Sequence, residues 1–274
     1  MSLRPFPVAR ALVTAVTAVL LGLTGAGAVS ASDDKGAAPI PDRSHAYGPA
    51  RAREVVERRV IGTSVRGRDI VAYRKGNPDA ARTVLVLGQM HGDEPAGRVT
   101  AEYIKTRLRV DSDVDVWIVP TMNPDGAAAH TRKNAHGVDL NRNWPTNGWV
   151  HTRRGSITYG GRRAASEPET RAMIAFLTEI KPDWITSLHQ PYGSVGRNGK
   201  TPRLIRRLSH DLGLPREHIS VGTPSHRVAP TLASWYNAGF DGGAVTVEFT
   251  SSPTHRWTTV VAGHGILKAN LAAW

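Results

Sequence analysis

Two histidines and a glutamate are the residues whose types and spacing point first to chemistry. His91 and Glu94 stand three apart in Gln89-Met90-His91-Gly92-Asp93-Glu94-Pro95, and His189 opens His189-Gln190-Pro191-Tyr192-Gly193. Two imidazoles and one carboxylate make a ligand set suited to zinc, with the fourth position left to water, so the expected centre is catalytic rather than structural. Zinc in such a centre lowers the pKa of its water to about 7 and polarises a carbonyl oxygen. Glu248, near the end of Ala244-Val245-Thr246-Val247-Glu248-Phe249, is placed to take that water's proton and return it to a leaving amine. A lone carboxylate ending an apolar strand is costly to bury without a purpose, which favours this role over a structural one.

A second polar concentration lies between these groups. Asn123-Pro124-Asp125-Gly126 is followed by Thr131-Arg132-Lys133-Asn134-Ala135 and then by Gly137-Val138-Asp139-Leu140-Asn141-Arg142-Asn143-Trp144-Pro145. The segment has no helical or strand periodicity, and polar groups this dense argue for a binding surface. Arg142 can present a two-pronged fork to a carboxylate, assisted by the Asn141 amide. Arg132 can donate to the oxyanion formed when water adds to a carbonyl.

These residues need a frame that brings them together. Strands are expected around Val55–Ile61 and Ile70–Tyr73, then at 83–87, 114–119, 184–188 and 244–249. Helices are expected from Pro95 to Arg109, after a Ser166 cap up to Pro182, from Pro202 to Leu212 and from Trp257 to Ala272. The alternation predicts an α/β fold with a mixed, mostly parallel sheet and helices on both faces. Ligands then bind beyond the carboxyl ends of the strands, where the chemistry-bearing segments fall.

The amino terminus carries an address. Arg4 and Arg10 precede an apolar run from Ala11 to Leu23, and Val29-Ser30-Ala31 fits a small-x-small cleavage site, so residues 1–31 are expected to be a secretory signal. The run spans only about 20 Å as a helix, short of the hydrocarbon core, so no stable membrane anchor is expected after cleavage. Residues 32–50 read as a flexible leader and 51–274 as one catalytic domain. The expected location is therefore outside the cytoplasm, secreted or in a bacterial cell wall.

The 274 residues hold no cysteine, which excludes disulfide scaffolds, thiol enzymes and Cys-ligated zinc fingers. Lys plus Arg number 35 against 23 Asp plus Glu, a net charge of +12 that favours an anionic partner such as a wall polymer. Nucleic acid is not expected, because no basic helix carries interleaved aromatics.

The order IGTSVRGRDI, HGDE, NPDG, GVDLNRNWP, SLHQPYG and VEFT resembles the zinc metallocarboxypeptidases of the carboxypeptidase A type, across nearly the whole mature chain. The resemblance implies one zinc per chain on His91, Glu94 and His189. It implies Glu248 as general base, Arg132 as the oxyanion donor, and Asn141 with Arg142 for the substrate's terminal carboxylate. It also implies a sheet of about eight strands. Within the family, TRKNAHGVDLNRNWP looks most like the bacterial murein-peptide amidases, making a peptide or muropeptide the expected substrate. One departure concerns the tyrosine that caps substrate in digestive members: the matching position is His226, and the nearest tyrosine is Tyr236. A zinc N-acyl amino acid deacylase and an inactive wall-binding module are the alternatives; NPDG and the export signal speak against the first, and the intact ligand set against the second.

Overall fold

The computed structural model describes residues 54–110, 113–219 and 230–274, all within one compact unit, Ala46–Trp274. The signal and leader expected in residues 1–50, and His226, lie outside the described residues.

The chain opens with a hairpin of β1 (Glu57–Thr63) and β2 (Asp69–Gly76), whose turn places Gly67 at φ 74°, a left-handed conformation natural to glycine. There follow β3 (Thr83–Leu87), α1 (Pro95–Arg107), β4 (Asp115–Val119), α2 (Pro124–Ala129) and α3 (Pro168–Ile180). Next come β5 (Trp184–His189), β6 (Tyr192–Gly196), α4 (Pro202–Leu212), the two-residue β7 (Arg216–Glu217) and α5 (Leu232–Gly239). The chain ends with β8 (Gly243–Thr250) and a π-helical stretch, Trp257–Val261, that runs into α6 (Ala262–Ala272).

The eight strands form one sheet in the order β1-β2-β4-β3-β5-β8-β6-β7. The central four, β4-β3-β5-β8, are mutually parallel, and β2 and β6 flank them antiparallel. This is the mixed sheet anticipated from the sequence. The alternation along β3 shows why its five apolar residues are needed. Val84 and Val86 enter one core with Ile104 of α1, Leu204 and Leu208 of α4 and Ile266 of α6, while Leu85 and Leu87 enter another with Trp117, Phe176 of α3 and Tyr236 of α5. Both faces of the sheet are thereby covered.

Two helix boundaries differ from expectation. Helix α1 stops at Arg107, because Leu108 adopts extended backbone (ψ 150°). Ser166 does not cap α3: Glu167 holds that position without a side-chain cap, while the Ser166 hydroxyl donates to Glu167 Oε1 (2.6 Å) and accepts from Asn143 Nδ2 (3.0 Å).

The end of α1 is held by an unusual strand residue. Lys75 of β2 is fully buried, and its Nζ donates to the carbonyls of Lys105 (2.8 Å), Leu108 (2.7 Å) and Ile104 (3.4 Å). An ammonium at a helix carboxyl terminus satisfies oxygens left open by the helix, although Ile104 O also accepts from Leu108 N (3.4 Å). Burial pushes its pKa down to about 8. Lys75→Met should therefore lower the unfolding free energy by roughly 2 kcal/mol, through carbonyls left unpaired, as read from urea denaturation.

Candidate metal and catalytic site

The parallel strands β3 and β5 leave the sheet side by side, and their continuations diverge, since β3 leads through α1 to β4 on one side and β5 lies on the other. A crevice opens at such a point, beyond the carboxyl ends of the strands. His91 and Glu94 come from the loop after β3, and His189 is the last residue of β5. In the sheet, Glu248 of β8 is paired with His189 on one side and with Ser194 of β6 on the other.

The loop bearing His91 is seated by close backbone contact. A side chain at Gly92 would meet the backbone of Gly126 at 2.0 Å, and one at Gly126 would meet Asn123 Nδ2 at 2.4 Å, so the glycines of both motifs are steric necessities. Buried Asn123 ties the loops together. Its amide nitrogen donates to the carbonyls of Met90 (3.1 Å) and Arg132 (3.4 Å), and its Oδ1 accepts from Gly126 N (2.9 Å). Asn123→Ala should lower kcat/KM about tenfold by loosening His91 and Arg132 together, and Asn123→Asp, which keeps the acceptor but loses the donor, should not restore it.

His91, Glu94 and His189 are all buried, and one ligand atom from each lies within 4.8 Å of the others. His91 Nδ1 is 2.8 Å from Glu94 Oε1, His189 Nδ1 is 3.0 Å from Glu94 Oε2, and the two Nδ1 atoms are 3.2 Å apart. Each imidazole is oriented from behind: His91 Nε2 meets Asp139 Oδ1 at 3.0 Å, and His189 Nε2 meets Ser187 Oγ at 3.2 Å. A partner on the far nitrogen fixes ring orientation and leaves the near nitrogen for a metal. Burial works to lower the His91 pKa, yet the bonds to Asp139 and Glu94 raise it to about 9. Burial likewise works to raise Glu94, but His189 and His91 hold its carboxyl well below the usual range. A metal ion would take the place of a proton shared among these groups, and two imidazoles with one carboxylate converging this closely are a donor set that fits zinc.

Glu248 is buried, its Oε2 has no hydrogen-bond partner, and the hydroxyl of neighbouring Ser194 has none either. Burial raises the Glu248 pKa, with His189 opposing and Glu94 reinforcing the shift. Arg132 directs Nη1 to Glu94 Oε1 (3.1 Å), while its Nε and Nη2 are held by Asp139 Oδ2 at 3.1 and 2.9 Å. Asp139 thus joins His91 to Arg132 through one buried carboxylate. Burial opposes its ionisation, but the His91 bond and nearby Arg132 keep its pKa well below the ordinary range.

Arg142 ends a short 3-10 turn, Leu140–Arg142, capped by the Asp139 side chain. Its Nη1 donates to the Asn141 carbonyl (2.7 Å), and no acidic side chain among the described residues forms an ion pair with it. Burial and the nearby Arg132 lower its pKa, with Asp139 opposing. Asn141 Oδ1 accepts from Leu232 N (3.1 Å), which joins the start of α5 to the same turn.

The structure therefore brings together His91, Glu94, His189, Glu248, Arg132, Asn141 and Arg142. Tyr236 is a correction: it is fully buried in α5, stacks on Phe240 and donates its hydroxyl to the Pro182 carbonyl (2.6 Å), so it belongs to the core. Asp139, Asn123 and Ser187 are site residues to which the sequence had assigned no role. The position of Asp139, immediately before the Leu-Asn-Arg of the binding segment, was the available signal for the first.

A family model described as zinc carboxypeptidase matches residues 49–195, just over half of the chain. Murein peptide amidase A of Escherichia coli (strain K12) is 34% identical over 130 residues, covering 43% of this chain and 53% of that protein. The carboxypeptidase N catalytic chain of Rattus norvegicus is 30% identical over 217 residues, covering 65% and 46% respectively. The chain thus spans about half the length of these sequence relatives. Among solved structures, a murein-tripeptide amidase from Escherichia coli O157 superposes with a TM-score of 0.65 at 27% identity, covering 82% of this chain and 96% of that one. Carboxypeptidase A from Helicoverpa armigera, at 19% identity and a TM-score of 0.68 over 80% of this chain and 68% of its own, shares the fold.

Proposed function

The chain belongs to the zinc carboxypeptidase family, and from that premise we propose an exported hydrolase that cleaves the peptide bond next to a free terminal carboxylate in cell-wall peptides. The observation that carries the exopeptidase assignment is Arg142, a largely buried guanidinium with no carboxylate partner among the described residues. A cation so placed is suited to a carboxylate brought by substrate.

His91, Glu94 and His189 would hold one zinc, which supplies Lewis acidity when bound. Glu248 accepts a proton from the attacking water and passes it to the nitrogen of the breaking C–N bond, so that the amine leaves neutral. Arg132, held by Asp139 on two of its nitrogens, presents Nη1 to the carbonyl oxygen as it gains charge. Arg142 and Asn141 hold the terminal carboxylate and thereby place the scissile bond one residue inward.

Burial raises the Glu248 pKa and a bound zinc would act against that shift, so the acid limb of kcat/KM should report the ionisation of Glu248. The base works only when ionised, so activity is present above that pKa and falls as the pH is lowered through it. An acid limb that persists unchanged in Glu248→Gln would contradict this assignment.

The wall-peptide substrate is supported by the likeness to proteins named murein peptide amidase, and the expected signal in residues 1–31 supports export. Mass spectrometry of products from C-terminally varied peptides, purified muropeptides and N-acyl amino acids, with and without chelator, tests the substrate. Chelator-sensitive cleavage of muropeptides in preference to the other substrates is expected. Preference for N-acyl amino acids would instead identify a deacylase.

A further inference from the structure

A second feature lies at the opposite end of the sheet. Helix α4 buries Leu204, Ile205, Leu208 and Leu212 and turns Arg203, Arg206, Arg207 and His210 outward. The spacing i, i+3, i+4 and i+7 puts these four on one exposed stripe, about 10 Å long at 1.5 Å per residue. With Ala272 and Trp274 they line an open pocket of about 440 Å³. No carboxylate side chain lines it, and none of the three arginines makes an ion pair or side-chain hydrogen bond among the described residues. His210 is the exception on the stripe, 2.9 Å from Asp211.

Three guanidiniums without an acidic partner within one helical turn and a half repel one another, and an anion that joins them relieves that repulsion. Trp274 places the pocket in the fold: it packs on Trp184 (centroids 5.5 Å apart), the first residue of β5, whose last residue is His189. The pocket and the metal ligands are therefore separated by the length of that strand, roughly 16 Å. An anion held on α4 leaves the catalytic crevice open.

We propose that this face of α4 binds a polyol-phosphate polymer and holds the enzyme against an anionic wall, an inference that rests on the export assignment above. Phosphates spaced along a chain match arginines spaced along a helix, and guanidinium forks suit phosphate oxygens. Among the described residues the large exposed hydrophobic ones are Val55, Val56, Val60, Ile157, Tyr192, Val260 and Val261, none of them on α4, so the stripe lacks the apolar side chains with which a helix enters a bilayer.

The test is binding of the purified chain to a defined oligo(glycerol phosphate), measured at two salt concentrations beside hydrolysis of a short peptide. The R203Q/R206Q/R207Q variant should bind at least about tenfold more weakly and with a shallower salt dependence, with hydrolysis unchanged. An equal removal of charge elsewhere, R66Q/R107Q/R256Q, should change binding less than about threefold. Equal losses in the two variants would overturn the site. So would tighter binding of the unaltered chain to phosphatidylglycerol vesicles or to single-stranded DNA. Binding through α4 by a chain inactive on every peptide would overturn the proposed function and leave this inference standing; the reverse result would do the opposite.

Discussion

Glu248→Gln is expected to retain zinc and to lose turnover by about a thousandfold, the middle of the range for removing a general base. The substitution keeps the shape of the side chain and removes its capacity to take a proton. Its Oε2 has no partner to lose, so folding should be little disturbed, and deleting a buried carboxylate whose pKa is raised by burial should if anything stabilise the chain. KM should change little, because Glu248 acts on the attacking water rather than on the substrate's terminal group. Steady-state kinetics beside zinc analysis separates the outcomes. Turnover near that of the unaltered enzyme would remove Glu248 as the base, and loss of zinc together with turnover would make the effect structural.

Arg142→Gln should raise KM about a hundredfold on peptides with a free carboxyl terminus, equivalent to some 2–3 kcal/mol for a charge-assisted, two-pronged contact. The sharper readout is discrimination. The unaltered enzyme should act poorly on C-terminally amidated peptides, and the variant should treat acid and amide nearly alike. Asp139 and Arg132 lie close to Arg142, so retained zinc is a necessary control. Equal rates on acid and amide by the unaltered enzyme would rule out terminal-carboxylate recognition.

The parts of this molecule that could be read in the sequence are those with strong physical signatures. The five apolar residues of β3 require burial on both faces, and α4 shows its apolar spacing without help from tertiary structure. The parts that escaped have weak ones. Helix α2, Pro-Asp-Gly-Ala-Ala-Ala, has no apolar periodicity and exists because Asn123 caps it and Gly126 fits against neighbouring loops. Strand β6, with glycine at two of its five positions, has little strand propensity of its own and is held by pairing with β8. Ser166 looked like a cap by residue type, but its hydroxyl was taken by Asn143 and Glu167.

The site divides along the same line. His91, Glu94, His189 and Glu248 could be picked out because histidine and glutamate at strand ends are few. Asp139 was hidden within a run of polar residues, and only the fold reveals that its two oxygens face His91 and Arg132. Tyr236 illustrates the converse. As the tyrosine nearest the capping position it was a candidate for substrate contact, whereas burial against Phe240 and a bond to a backbone carbonyl account for the whole side chain.

The proposed chemistry requires that His91, Glu94 and His189 hold a zinc ion. Diffraction data collected on either side of the zinc absorption edge, from crystals of the enzyme grown with zinc, address it directly. The expected result is one strong anomalous peak bounded by His91 Nδ1, the Glu94 carboxylate and His189 Nδ1, with Glu248 beside it and not ligating. A zinc peak elsewhere, or none at these three residues while the enzyme remains active, would contradict it.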